Sequence, residues 1–147
     1  MIQLTGEPLT SDDLKALAAR WIDPVTAHAQ LLRRVISWEG AKLVGAHSSH
    51  DDDYVGIAIP YLWPGEDYIR EYRLRRDYPE IENGKPRRKY VSPPGRCNLL
   101  YFPVGTDPAM LADSTLPVVF TEGEFKAIAL ARHGGQSHRR RWKPDRR

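Results

Sequence analysis

A chain of 147 residues with four tryptophans and 41% hydrophobic residues is long enough to bury the core of one ordinary domain. Its single cysteine, Cys97, excludes an internal disulfide and any zinc site that needs several cysteines. No stretch approaches the roughly 20 apolar residues that cross a bilayer, and residues 1–13 lack the regions of a signal peptide. We therefore expect a cytoplasmic protein without a membrane partner.

The net charge of +3 is unevenly distributed along the chain. Residues 134–147 carry six basic residues and one acid, a net +5, which leaves −2 on the rest of the chain. A second basic cluster at residues 85–89 lies within this slightly acidic body. Clustered Lys and Arg are typical of a surface that neutralises phosphates, although a charge run is more often a solvated loop.

Residues 10–46 are predicted to be helical, because apolar residues recur there at a spacing of three to four. Asp12 and Asp13 suit the positive first turn of a helix. An apolar face at residues 31–36 is predicted to extend the second helix. The three helices are predicted to begin at the cap Thr10 or Ser11, at Asp23-Pro24, and near Trp38.

The pattern then becomes that of strands. Residues 54–61 are rich in β-branched and aromatic residues, and residues 68–75 alternate large and charged side chains. Turn residues at 63–67 separate the two runs, so we predict an antiparallel hairpin. Residues 76–96 are rich in Pro, Gly and charge and are predicted to be an excursion rather than part of the core.

The last predicted unit is a strand, a tight turn and a helix. The continuous apolar run at residues 116–121 is typical of a strand buried on both faces. Glu122-Gly123 follows it, and a helix is predicted from Glu124 to a stop at Gly134-Gly135. This order places Glu122 at the carboxyl end of a core strand, where open α/β sheets keep their ligand sites.

Three motifs in this order resemble a known family. Pro117–Leu130, which reads PVVFTEGEFKAIAL, resembles the first motif of the Toprim domain of DnaG-type primases, topoisomerases and related nucleases. Arg87–Gly95 is similar to the Lys-Tyr-x-Asn-Ser-Pro segment of bacterial primases, and Leu100-Tyr101 matches the Leu-Tyr that follows it. Ile57–Arg75 parallels another primase segment. The resemblance covers roughly residues 54–133 and is strongest to primase-like replication proteins of phages and plasmids.

This resemblance implies Mg²⁺-dependent nucleotidyl transfer in the parent protein. The family's Glu at the position of Glu122 acts as a general acid/base or helps to organise the metal, and two Asp on the next strand hold Mg²⁺. Here the acids after Thr121 are Glu122, Glu124 and Asp145, with no Asp-x-Asp. We therefore expect a truncated Toprim unit that does not bind Mg²⁺ stably and does not transfer nucleotides alone.

The resemblance also implies a basic surface for single-stranded DNA or a nucleotide. Lys89 matches the primase Lys that meets the template or the incoming nucleotide. Strand alternation places Arg73 and Arg75 on one face, about 7 Å apart, and Arg87 and Arg88 flank Lys89. The alternative is that these arginines pair with surface acids, for which the candidates are Glu71, Asp77 and Glu80.

Together these patterns predict an α+β protein that binds nucleic acid. The predicted parts are a helical N-terminal segment (1–48), a primase-like β-rich subdomain (49–115), the truncated Toprim-like unit (116–135) and a basic, disordered tail (136–147). Two alternatives remain: a stand-alone protein that binds or inhibits a host partner, and an enzyme completed by a second chain that carries the Asp-x-Asp. The predicted strand at 117–121 is expected to join the upstream sheet, rather than to pair with a second copy or to be covered by a partner.

Overall fold

The computed structural model describes residues 2–46, 53–95 and 99–137. These residues form a mixed α+β fold with five helices, a four-stranded antiparallel sheet and a separate two-stranded sheet. The helices are α1 (Ser11–Ala18), α2 (Pro24–Ala29), α3 (Ser37–Leu43), α4 (Pro108–Ala112) and α5 (Glu124–Ser137). The strands are β1 (Arg33–Val35), β2 (Gly56–Tyr61), β3 (Glu71–Arg76), β4 (Ile81–Glu82), β5 (Lys85–Pro86) and β6 (Tyr90–Val91). Residues 138–147 of the predicted tail lie outside the described residues.

The first two helices begin at the predicted caps. The Thr10 hydroxyl accepts a hydrogen bond from the amide of Asp13 at 3.2 Å, and the Asp13 carboxylate accepts one from the amide of Thr10 at 2.9 Å. This reciprocal capping box satisfies two amides that the helix itself leaves without partners. Asp23 caps α2 by accepting from the amide of Thr26 at 2.7 Å, and Pro24 occupies the first helical position.

The prediction that residues 31–36 extend the second helix is wrong. Helix α2 ends at Ala29, and Leu31 adopts a left-handed backbone with φ of +56°. The next residues form strand β1 and pair with β2, and Arg34 also bridges to Glu7. Over so few residues an apolar pattern does not separate a helix from a strand, and the pairing partners of β1 decided the outcome.

The predicted hairpin of residues 54–75 is confirmed. Strands β2 and β3 pair antiparallel, with Ile59 opposite Arg73 and Ile57 opposite Arg75, inside the sheet order β1-β2-β3-β6. Strand β2 is buried along its whole length. Gly56 allows the two backbones to approach, because a Cβ there would lie 2.0 Å from the carbonyl oxygen of Arg75.

The sheet is covered on both faces. One face packs against α1, α2 and α5, and the other packs against α3. Side chains of the first core are Leu9, Leu17, Ile22, Ala27, Leu32, Ile57, Ile59, Phe125 and Ile128. Side chains of the second core are Val35, Ala41, Val44, Tyr54, Ala58, Tyr72, Leu74 and Val91. Helix α5 therefore belongs to the same core as the N-terminal helices.

Residues 76–96 contain more structure than the predicted excursion. Strands β4 and β5 form a small hairpin, and β6 adds to the edge of β3. The hairpin turn is Asn83-Gly84, with φ of +52° and +74°. An Asn-Gly pair is favoured in two-residue hairpin turns because both residues tolerate positive φ, so this dipeptide is a signal from which the hairpin could have been predicted.

The prediction of a buried strand at residues 116–121 is wrong. These residues form no helix or strand, and Val118, Val119 and Phe120 are 59%, 68% and 79% exposed. They do not join the upstream sheet, whose strands are β1, β2, β3 and β6. The helix that follows is confirmed as α5, but it continues through Gly134-Gly135 to Ser137 instead of ending there.

Candidate nucleic-acid interface

The basic cluster of residues 85–89 lies on the β4–β5 hairpin and the bend after it. Lys85 is in β5, and Arg87 and Arg88 follow on exposed backbone, with Arg88 at φ of +50°. Lys89 is half-buried and precedes β6. Arg87 pairs with Glu82 at 3.3 Å. Within the described ranges no carboxylate lies in ion-pair contact with Lys85, Arg88 or Lys89, which leaves a local excess of positive charge.

The two acids of this hairpin are already engaged. Both carboxylate oxygens of Glu80 accept hydrogen bonds from the guanidinium of Arg76 at 2.9 Å, and Glu82 pairs with Arg87. Arg76 itself is buried and donates to the carbonyl oxygen of Asp53 at 2.5 Å. Tyr78, at the base of the hairpin, is 70% exposed. Residues 78–89, called the basic hairpin below, therefore combine cations with an exposed aromatic ring.

Arg73 and Arg75 share one face of β3, as predicted, but that face lies beneath α5. The Arg73 guanidinium donates to the Glu124 carboxylate at 2.7 Å and lies 5.4 Å from the ring centroid of Tyr90. Arg75 lies 3.7 Å from the carboxylate of Asp77, and 18% of its side chain is exposed. The structure thus brings Arg87, Arg88 and Lys89 together on one bend and holds Arg73 and Arg75 beside acids.

Glu124 forms a buried polar cluster that sequence analysis missed. The Tyr61 hydroxyl donates to its carboxylate at 2.5 Å, and Arg73 donates to the same oxygen. The ring of Tyr101 packs edge-on against Tyr61, with centroids 5.1 Å apart. Burial and the nearby Glu124 charge raise the pKa of both tyrosines above the ordinary value. Glu124 lies four residues before the buried Ile128, and this helical spacing is the signal that could have placed it on the inner face.

The surroundings of Arg73 favour its charged form. Burial lowers the pKa of its guanidinium, but the contacts with Tyr61 and the negative charge of Glu124 outweigh that effect and raise it. A buried carboxylate with a guanidinium and a hydroxyl donor is a satisfied structural group. The cluster therefore anchors the first turn of α5 to strands β2 and β3.

Glu122 lies in different surroundings. Its side chain is 80% exposed and pairs with Lys126, and this hydrogen bond lowers the pKa of the carboxyl group. No three or more His, Cys, Asp or Glu side chains among the described residues are grouped so that they could hold a metal ion. The surroundings of Glu122 thus do not fit the Mg²⁺ site that the Toprim resemblance implies, and we derive no metal-dependent step.

A second ion network links α1 to the sheet. Arg34 donates to both carboxylate oxygens of Asp13 and to Asp77, and its Nε lies 3.0 Å from Asp13. Burial raises the pKa of Asp13, but the hydrogen bonds from Arg34 and Thr10 outweigh it, so the net pKa is lowered. Asp77 also faces Arg75. The network therefore neutralises Arg34 and Arg75 on the face of the sheet that packs against α1, α2 and α5.

No protein-family model, curated protein or solved structure matches this chain. Across residues 2–46, 53–95 and 99–137, no helix is long and apolar enough to cross a bilayer.

Proposed function

We propose that this chain is a primase-like protein that binds single-stranded nucleic acid through the basic hairpin and does not transfer nucleotides alone. The observation that carries the proposal is the position of Lys85, Arg88 and Lys89, which lie on the basic hairpin without a carboxylate partner in the described part of the chain. Cations placed in this way neutralise phosphates and release counterions. The exposed ring of Tyr78 supports stacking on a base.

Binding is expected to be weak and strongly dependent on salt. Each phosphate contact to a single strand contributes about −0.7 to the slope of log K against log salt, so three or four cations predict a slope of about −2 to −3. Residues 136–147 contain further basic residues, and deleting this segment should make log K depend less steeply on log salt. Contacts to phosphates carry no sequence information, so we expect little sequence preference.

Arg73 and Arg75 take a different part in this proposal. The primase resemblance implies that they extend the binding surface, but Glu124 and Asp77 hold them. For either arginine to contact a phosphate, the phosphate would have to displace the carboxylate that the arginine now contacts. We propose that Arg73 and Arg75 hold α5 on the sheet. The phosphate contacts are then made by Lys85, Arg87, Arg88 and Lys89.

The test compares two double variants that remove the same charge. Arg88→Gln with Lys89→Gln should weaken binding of a fluorescent oligothymidylate and reduce the salt slope by about 1.4. Lys15→Gln with Lys42→Gln removes two exposed lysines elsewhere and should leave binding close to that of the original chain. Fluorescence anisotropy over a salt series measures both, with circular dichroism to show that the variants are folded.

Two outcomes would count against the proposal. If both double variants lose affinity equally, binding follows overall charge and the basic hairpin is not the site. If the unaltered chain does not bind at low salt, the nucleic-acid function is wrong, and the stand-alone protein that binds a host partner becomes the better hypothesis. Tyr78→Ala adds a separate test, because a lost stack should lower affinity without changing the salt slope.

A further inference from the structure

The tip of the basic hairpin, Ile81–Arg88, is exposed along its whole length. Its strands β4 and β5 pair with each other, and among the described strands they form a sheet separate from the four-stranded one. A two-stranded hairpin by itself is at best marginally stable in water. The orientation of its cations therefore depends on the contacts that hold the base of the hairpin.

Arg76 holds that base from inside the protein. Its side chain is 2% exposed, and its guanidinium lies 5.0 Å from the ring centroid of Tyr54, a residue of the second core. The Nε of Arg76 donates to the carbonyl oxygen of Asp53 at 2.5 Å, and its Nη1 donates to both carboxylate oxygens of Glu80 at 2.9 Å. Since Glu80 belongs to the basic hairpin, this one buried side chain joins the hairpin to the core.

Backbone hydrogen bonds continue the link from this ion pair to the cations. The carbonyl oxygen of Glu80 accepts from the amide of Arg87 at 2.6 Å, and the carbonyl oxygen of Lys89 accepts from the amide of Arg76 at 2.8 Å. The hairpin is thus fixed at its start through the side chain of Glu80 and at its end through the backbone of Lys89. Arg88 lies between the two residues at that end, Arg87 and Lys89.

We propose that Arg76 and Glu80 are positioning residues, which hold the basic hairpin in the orientation that presents Arg88 and Lys89 to a single strand. This inference rests on the proposed nucleic-acid binding and names the ion pair that pre-organises it. A hairpin that is already ordered loses less conformational entropy on binding than a loose one. Neither positioning residue itself contacts a phosphate, because Arg76 is buried and the carboxylate of Glu80 would repel one.

The test separates position from charge, because Glu80 is itself an acid. Glu80→Gln removes a negative charge from the hairpin, so charge alone predicts tighter binding of a fluorescent oligothymidylate. Loss of position predicts the opposite, and we expect the dissociation constant to rise about tenfold. Glu82→Gln is the matched control: it removes the same charge from an exposed pair with Arg87 and should bind slightly more tightly than the original chain. Fluorescence anisotropy measures both, with circular dichroism to show that the variants are folded.

A second pair of variants keeps the net charge and decides the question if Glu80→Gln does not fold. Glu80→Asp shortens the side chain by one methylene, which withdraws the carboxylate from Arg76, and should weaken binding, whereas Glu82→Asp should not. If the Glu80 variants bind at least as tightly as the original chain, or if the Glu82 variants weaken binding equally, the positioning role is wrong and the nucleic-acid function stands. An original chain that does not bind at low salt would overturn both.

Discussion

The hydroxyl of Tyr61 donates a 2.5 Å hydrogen bond to the carboxylate of Glu124, although 63 positions separate the two residues along the chain. Arg73 donates to the same oxygen at 2.7 Å. Strands β2 and β3 and the first turn of α5 thus meet at one buried carboxylate. Two positions earlier, Glu122 lies in solvent and pairs with Lys126, so neighbouring acids of one short segment have different roles.

This difference predicts the effect of two matched substitutions. Glu124→Gln should lower the free energy of unfolding by about 2–3 kcal/mol, because it removes a charged acceptor and leaves Arg73 without its counter-charge. The figure is below that for a fully buried pair because 36% of the Arg73 side chain is exposed. Glu122→Gln should leave the stability unchanged. Urea denaturation measures both, and equal effects would contradict an anchoring role for Glu124.

The network of Asp13 and Arg34 predicts a pH dependence. The pKa of Asp13 is lowered in the folded chain, so its stabilisation is fully present above the ordinary Asp value of 3.8 and is lost as pH falls through the lower folded value. Asp13→Asn should lower the free energy of unfolding near neutral pH by about 3 kcal/mol. The difference in unfolding free energy between this variant and the original chain should become smaller in acid. Thermal unfolding across pH measures this.

Asp12→Asn provides the matched control for that experiment. Asp12 is the preceding residue, is exposed, and pairs only at the surface with Lys15 at 3.0 Å. Surface pairs of this kind contribute little to stability. An Asp13→Asn variant whose acid unfolding parallels that of the original chain would show that the Arg34 contacts do not stabilise the fold.

Among the described residues, Glu122 belongs to no cluster of side chains that could hold a metal ion, and we predict that the chain alone does not synthesise primers. Template-dependent ribonucleotide incorporation with Mg²⁺ or Mn²⁺ should remain at background, while a complete DnaG-type primase is active on the same template. The physical reason is that a single exposed glutamate, already paired with Lys126, does not supply the carboxylate ligands that would position Mg²⁺ beside a nucleoside triphosphate. Metal-dependent incorporation that disappears in Glu122→Gln would show that the catalytic assignment of Glu122 is correct.

Local signals predicted much of the fold. The caps at Thr10 and Asp23 and the antiparallel pairing of β2 with β3 each depend on residues close together in sequence, so their patterns were sufficient. The Asn83-Gly84 hairpin was not predicted, although its turn chemistry is visible in two residues. The α+β class follows from these elements.

Only the tertiary structure decided the roles of the remaining segments. An apolar run such as residues 116–121 becomes a core strand only if other elements cover it, and here none of the described elements does. Residues 33–35 became a strand because β2 and Glu7 offered backbone partners. Glu124 was buried, and Glu122 was not, because Tyr61 and Arg73 supply its donors. Burial depends on neighbours distant in sequence; a local pattern such as the spacing of Glu124 and Ile128 can indicate it but does not decide it.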